Sequence, residues 1–382
     1  MAQQLKTDWV LFFTVVLMVC FGLVMIYSAS SMMAQMTEKF GYSPYYFLAR
    51  QMGWVVVAFV VLMYFKRTNY KYLANPTWAF APLGFVLVLL AIAYFRDAHA
   101  HRWLRIAGMG IQPSEFAKPA LAIFLAWFVT RRAHAINTKH TVWPAALALA
   151  VLGGSVIVAD LGTAAILLMS AASVFYVAGL ERRYFLAAVL AGIVVVTAAI
   201  ASKPYRILRL IGYFDPDHKI LAVVDPGGFI RKAAEKSAAP RDVSYQVRQS
   251  KIAVGTGGAV GLGLMEGKQK LLFLPEAHND FIYAVVSEEL GLWGATLVLA
   301  GFIVILWRGY RLYWAVSDDF GRYLAIAITT IVVAQAFVHM SVVLDVVPNK
   351  GIPLPMVSYG GSSLLSTLAC LGILMSVSDH AA

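Results

Sequence analysis

Charge is what this chain has least of. Only 13% of its 382 residues are Asp, Glu, Lys or Arg, about half the share in soluble domains, while 60% are hydrophobic. With a mean hydropathy of +0.73, that scarcity excludes an ordinary soluble domain and points to a polytopic membrane protein. Cysteine is nearly absent: Cys20 and Cys370 lie in apolar runs near opposite ends of the chain, which excludes a disulfide framework and a thiolate metal cluster. The glycine-rich KIAVGTGGAVGLGL (251–264) lacks the G-x-x-x-x-G-K-[ST] spacing of a P-loop. It reads either as a tight re-entrant turn or as backbone amides exposed to an anion. Low-complexity linkers and a repeat period are missing too. The first apolar run, Trp9 to Tyr27, lacks an A-x-A-like exit and reads as a retained anchor rather than a cleaved signal.

The net charge of +11 does not indicate nucleic acid, because the basic residues are scattered between apolar segments. Such an excess reflects retention of Lys and Arg in cytoplasmic loops. Runs of membrane-spanning length fall near 9–28, 47–65, 77–95, 115–130, 142–159, 162–180, 184–202, 279–307, 321–345 and 355–377. The expected fold is therefore all-α, with about ten transmembrane helices in one domain, 1–382. With the N-terminus inside, the short inner segments, beginning at Lys6, hold twelve Lys and Arg against six outside, which places both termini in the cytoplasm. One connection, 203–278, is too long for a simple turn and forms a large extracytoplasmic loop between helices seven and eight. Within it FIRKAAEKSAA (229–239) and YQVRQSKIAV (245–254) read as short amphipathic helices on the interface.

Several polar groups resist this apolar background. LPEAHNDFIYAVVSEELG (274–291) carries Glu276, His278, Asp280, Glu288 and Glu289. A centrally placed charge costs about 2.5–3.5 kcal/mol on insertion scales, so these residues need partners or water. A helix starting at Pro275 would put Glu276, Asp280, Tyr283 and Ser287 on one face, with Asp280 near the outer mouth. Glu288 and Glu289 would then pair with basic or hydroxyl groups on neighbouring helices. His278, like His99 and His101, reads as an ordinary hydrogen-bonding histidine more readily than as a metal ligand.

In HRWLRIAGMGIQPSEFAK (101–118), Gln112 to Glu115 is a helix-start signal. Lys118 lies one turn beyond Glu115, either snorkelling or facing an anion. Arg102 and Arg105 precede it in a loop where cations can hold phosphate. Asp160 in VADLGTA caps the following helix or joins the polar set. PNKGIPLPMVSYGGSS (348–363) brings Lys350, Ser358, Gly360, Gly361 and Ser362 into an irregular stretch that suits a lined polar cavity.

Taken in order, RWLRIAGMGIQPSEFAK, ADLGTA, AVGTGG, FLPEAHNDFIYAVVSEELG and GIPLPMVSYGGSS resemble the FtsW/RodA (shape, elongation, division and sporulation) family, from about residue 10 to residue 377. The resemblance implies a ten-helix fold and peptidoglycan glycosyltransferase activity on lipid II in the bacterial plasma membrane. It also implies a class B penicillin-binding protein and other divisome proteins as partners. LPEAH and the Lys350–Gly351 pair resemble the division branch more than the elongation branch. Two positions depart from the family pattern: Ala159 stands where Pro is usual, and Asn279 where Thr is common.

Residue by residue, the resemblance puts the essential acid on Asp280 and the important cations on Arg102, Lys118 and Lys350. The expected chemistry is an inverting displacement. Asp280 acts as general base on a sugar hydroxyl, and the cations hold the departing pyrophosphate. Glu276, His278, Ser358 and Ser362 join the substrate-binding set, while Asp160, Glu115, Glu288, Gly360 and Gly361 support it. A divalent ion, Mg2+ or Mn2+, held partly by Asp280 is a further expectation. A precursor flippase and a recruiting scaffold are the rival readings.

Overall fold

Every apolar run found in the sequence coincides with a helix. The computed structural model describes residues 8–97, 102–106, 109–214, 243–271 and 273–380. In chain order the helices are α1 (Trp9–Gln35), α2 (Tyr46–Arg67), α3 (Pro76–Arg96), α4 (Pro113–Arg132), α5 (Lys139–Ala159) and α6 (Leu161–Val177), then α7 (Arg182–Ala201), α8 (Pro204–Phe214), α9 (Val243–Gly257), α10 (Ile282–Ala315), α11 (Asp319–Val343) and α12 (Gly361–His380). A two-stranded antiparallel hairpin, β1 (Leu104–Ile106) and β2 (Met109–Ile111), precedes α4. Among the described residues eight helices are long and apolar enough to cross a membrane. The apolar α6 is shorter, and α4, which carries Glu115 and Lys118 in its first turns, is not among the eight.

Helices α11 and α12 form the centre: 78% and 89% of their apolar windows are buried, against 6% for α7. A helix apolar on every side but bare on its surface is solvated by lipid tails, which places α7 at the periphery. Around the centre α2 packs on α12, α10 and α4 on α11, and α1 on α10. One end of the bundle is stitched by Arg308 to Asp8 at 2.6 Å, Lys66 to Asp379 at 2.8 Å, and Tyr70 to Asp318. That end holds the start of α1 and the end of α12. The opposite end gathers the starts of α4, α6, α10 and α12.

Three expectations need correction or limitation. Helix α10 starts at Ile282, not Pro275. Residues 275–281 form turns: Glu276 lies in the left-handed region at φ 56°, and the carbonyls of Asn279 and His278 accept from the Ser358 hydroxyl at 2.7 Å and the Tyr359 amide at 3.0 Å instead of from a following helical turn. Helix α9 covers the expected 245–254 segment, but it does not merely rest on an interface. Its Ser250 hydroxyl donates to the Val343 carbonyl at 2.8 Å, and Ala253 is buried as α9 packs on α10. The 229–239 segment, Lys6, His99 and His101 lie outside the described residues.

The glycine-rich stretch after α9 resolves as a close-packed turn. Helix α10 breaks at Gly291, whose φ of 63° is in the left-handed region. The carbonyls of Glu288 and Glu289 accept from the amides of Leu262 and Gly263 at 3.0 and 2.9 Å, and Leu292 donates to Gly258 at 2.9 Å. Backbone groups released by the break are thus satisfied by protein, the condition for irregular structure at membrane depth.

Candidate functional site

A cavity of about 760 Å³ opens at the end of the bundle away from the termini. Helix α2 supplies Arg50 and Trp54 to its wall, and the turn before α10 supplies Glu276, His278 and Asp280. Arg102, Gln112 and the 359–363 stretch complete the lining. Of the expected residues, Asp280, Arg102, Glu276, His278, Gly360, Gly361 and Ser362 therefore share one cavity.

Asp280 is half-buried there. Burial raises its carboxyl to about 6, opposed first by Arg102, with Glu276 and Asp160 adding to the rise and Arg209 of α8 opposing it. Gly351 presses against it so closely that a β-carbon built on that glycine would stand 2.5 Å from Asp280 Oδ2. Nothing larger fits without moving the carboxylate.

Asp160 organises the cations. It caps α6 through the Gly162 amide at 2.9 Å and accepts from Thr163 at 3.0 Å and Gln112 at 3.2 Å. Arg102 and Lys350 approach it from either side at 3.6 and 3.7 Å. Burial works to raise its carboxyl, but Arg102, Lys350 and these hydrogen bonds prevail and hold it below the usual range. Burial brings the Lys350 ammonium down to about 8, with Asp160 opposing and Arg206, Arg209 and Arg102 assisting. Asp280 at the cavity wall and Asp160 behind it are thus tied to the same cations, Arg102 acting on both and Lys350 pairing with Asp160.

Other expected site residues take different positions. Lys118 does not face the cavity: it is 1% exposed and donates at 2.6 Å to both Glu115 and Gln335. Its direct contact with pyrophosphate is therefore set aside, and Glu115 serves as its counter-ion. Ser358 is spent on structure, linking the Asn279 carbonyl to the Leu354 amide. His278 is buried between the rings of Phe47 and Tyr359, at centroid distances of 4.5 and 5.6 Å, and burial lowers its pKa against the pull of Glu276. Ser362 accepts from the Gln112 amide at 3.3 Å, and Gly360 donates to Gln51 at the same distance.

Deeper in the bundle, Glu288 accepts from the amides of Lys268 and Gln269 at 2.9 and 3.1 Å. Glu289 pairs with Lys270 at 2.6 Å and takes the Ser28 hydroxyl at 2.7 Å. Among the described residues no group of three or more His, Cys, Asp and Glu gathers to hold a metal. Asp160 is already engaged by two cations, which leaves Glu276 as the other carboxylate lining the cavity with Asp280, so the donors among the described residues do not fit a preassembled Mg2+ or Mn2+ site.

Sequence reasoning missed Gln112, Arg50, Trp54 and Arg209. Arg209 sits on the amphipathic α8 inside a segment read as loop, and its Arg-x-x-Arg spacing with Arg206 was the available signal.

The family model FTSW_RODA_SPOVE, described as "Cell cycle protein", matches residues 8–382. The chain belongs to this family. Among FtsW/RodA/SpoVE relatives, the "Probable peptidoglycan glycosyltransferase FtsW" of Geobacter metallireducens is 37% identical over 380 residues, covering 98% of this chain and 95% of its own. Stage V sporulation protein E of Bacillus subtilis is 33% identical over 386 residues, with 99% and 98% covered. A solved chain from "Structural coordination of polymerization and crosslinking by a peptidoglycan synthase complex" matches with a TM-score of 0.73 at 25% identity, 97% of each chain being covered. RodA of Thermus thermophilus shares the fold with a TM-score of 0.67 at 23% identity, over 97% of this chain and 96% of that one.

Proposed function

We propose that this protein is a peptidoglycan glycosyltransferase of the cell-division branch, polymerising lipid II at the outer face of the bacterial plasma membrane. The observation that carries the reading is a carboxylate raised to about 6 on the wall of a cavity, beside a carboxylate-bound pair of cations. Asp280 takes the proton from the acceptor sugar hydroxyl as that oxygen attacks the donor's anomeric carbon. The bond from that carbon to the lipid pyrophosphate breaks, and Arg102 and Lys350 meet the departing charge. Attack from the opposite face converts an α-linked donor into a β-linked strand. The short α6 and the polar-started α4 complete a ten-span bundle, with both termini cytoplasmic and 203–278 outside. Relatives named as peptidoglycan glycosyltransferases, and a solved relative described as a peptidoglycan synthase complex, support the substrate class. A class B penicillin-binding protein is the proposed partner within the divisome.

Polymerisation of purified lipid II in detergent, with and without such a partner, tests the proposal. Wild-type protein forms glycan strands and the Asp280→Asn protein, folded and partner-bound, does not. Equal rates from the two would overturn the base assignment. The break in α10 at Gly291 gives a transporter some support, since broken helices mark many transport sites. Detergent leaves no membrane to cross, so strand formation there separates the two readings.

A further inference from the structure

The segment after α11, residues 350–354, brings Gly351 onto Asp280 and Lys350 to Asp160, yet it has no regular secondary structure of its own. Prolines at 348, 353 and 355 remove amide donors along it. The Leu354 carbonyl accepts from the backbone amides of Val357 and Ser358, and the carbonyls before it are held by side chains. Behind it, on α11, Gln335 Nε2 donates to the Pro353 carbonyl at 2.8 Å, and His339 Nδ1 lies 2.7 Å from the Ile352 carbonyl. The two side chains are four residues apart, hence on one helix face, and each residue is 1% exposed.

We propose that Gln335 and His339 are positioning residues for the Asp280 site, gripping consecutive carbonyls of the 350–354 segment so that Gly351 and Lys350 stay in register with the carboxylates. The inference rests on the reading of Asp280 as the base. The hydrogen-bonding chemistry has one solution. A carbonyl only accepts, so His339 carries its proton on Nδ1. Lys118, an ammonium, only donates, and it reaches Gln335 Oε1 at 2.6 Å. The Gln335 amide is thereby oriented with its NH2 toward Pro353. Lys118, held in turn by Glu115, acts on the cavity through this amide rather than by contact. Packing closes the grip from the other side, where Ile352 and Lys350 lie against Gly162 at the start of α6.

Three full-length variants test this, each purified with its transpeptidase partner: His339→Leu, His339→Asn and Gln335→Met. An Asn side-chain nitrogen occupies the place of imidazole Nδ1, so His339→Asn keeps the bond that His339→Leu loses. Lipid II polymerisation should fall about tenfold to a hundredfold in kcat for His339→Leu and Gln335→Met, with KM within about threefold, as expected when reacting groups drift by an ångström or less. His339→Asn should stay within about threefold of wild type, and amide exchange over 349–354 should quicken about tenfold or more in the two damaged variants alone. A general loss of stability would not be rescued by Asn, nor confined to that segment. Wild-type rate and exchange in His339→Leu would overturn the inference, as would His339→Asn failing equally with exchange unchanged. Should wild-type protein form no glycan, the reading of Asp280 fails, and the exchange arm still decides the grip: unaltered exchange in His339→Leu and Gln335→Met refutes it.

Discussion

At Asp280 the protein sets burial against charge. Water exclusion raises the carboxyl to about 6, with Arg102 restraining it, while the same burial brings Lys350 down to about 8. A general base must be deprotonated, so kcat/KM should fall as pH drops through about 6. A cation that holds pyrophosphate must be protonated, so activity should fall again above about 8. The expected profile for the free enzyme is a bell between those limbs. In Lys350→Arg the guanidinium stays charged and the alkaline limb should vanish; a limb that persists would assign it elsewhere. Asp280→Asn should lower kcat by about 10²–10⁴-fold while leaving partner binding intact, as judged by rate and co-purification. Gly351→Ala should also lower kcat, by about tenfold or more, because its methyl meets Asp280 Oδ2 and displaces the base. Since Gly351 lies in an irregular segment, its thermal unfolding temperature should hardly change.

Helix α10 shows how an element at membrane depth can be both broken and stable. The turn at Gly258–Gly263 fills the gap at Gly291, and the acids just before the break anchor the segment that climbs to Asp280: Glu288 through two amides, Glu289 through Lys270 and Ser28. Lys270→Met leaves a buried carboxylate without its counter-ion and should destabilise by about 3–5 kcal/mol. Pairing it with Glu289→Met removes both charges, so the double variant should lose clearly less than the sum of the singles in thermal unfolding. Additive losses would show that the pair is uncoupled. This element also marks where the sequence was readable. Apolar runs locate the helices because lipid demands them, and the acids of 274–291 stood out because lipid penalises them. The start of α10 was misjudged because Ser358 and Tyr359, some eighty residues away, capture the carbonyls of Asn279 and His278. The resemblance places Lys118 on pyrophosphate, and its local spacing says nothing of Gln335, across the bundle, which binds it. Local spacing carries periodicity and capping, whereas a partner two hundred residues distant leaves no local trace.

At the scale of the whole molecule, the two ends of the bundle differ in chemistry. The end with both termini is laced by Asp8–Arg308, Lys66–Asp379 and Tyr70–Asp318, pairs that tie helices together. The other end keeps its cations around a cavity. The proposed topology puts that second end outside, on the face where the proposed polymerisation takes place. The twofold excess of Lys and Arg in the opposite loops favours this orientation. It can be read directly with the native thiols, Cys20 and Cys370, replaced by serine. A cysteine at exposed Tyr42, between α1 and α2, should react with a membrane-impermeant maleimide in cells whose outer barrier is permeabilised. One at exposed Ser317, between α10 and α11, should react only after the plasma membrane is opened. Labelling in the reverse order would place Asp280 in the cytoplasm. Polymerisation on the outer surface would then be excluded, whatever the activity of the purified protein, because a strand made at that face would be on the wrong side of the membrane from the wall it must join.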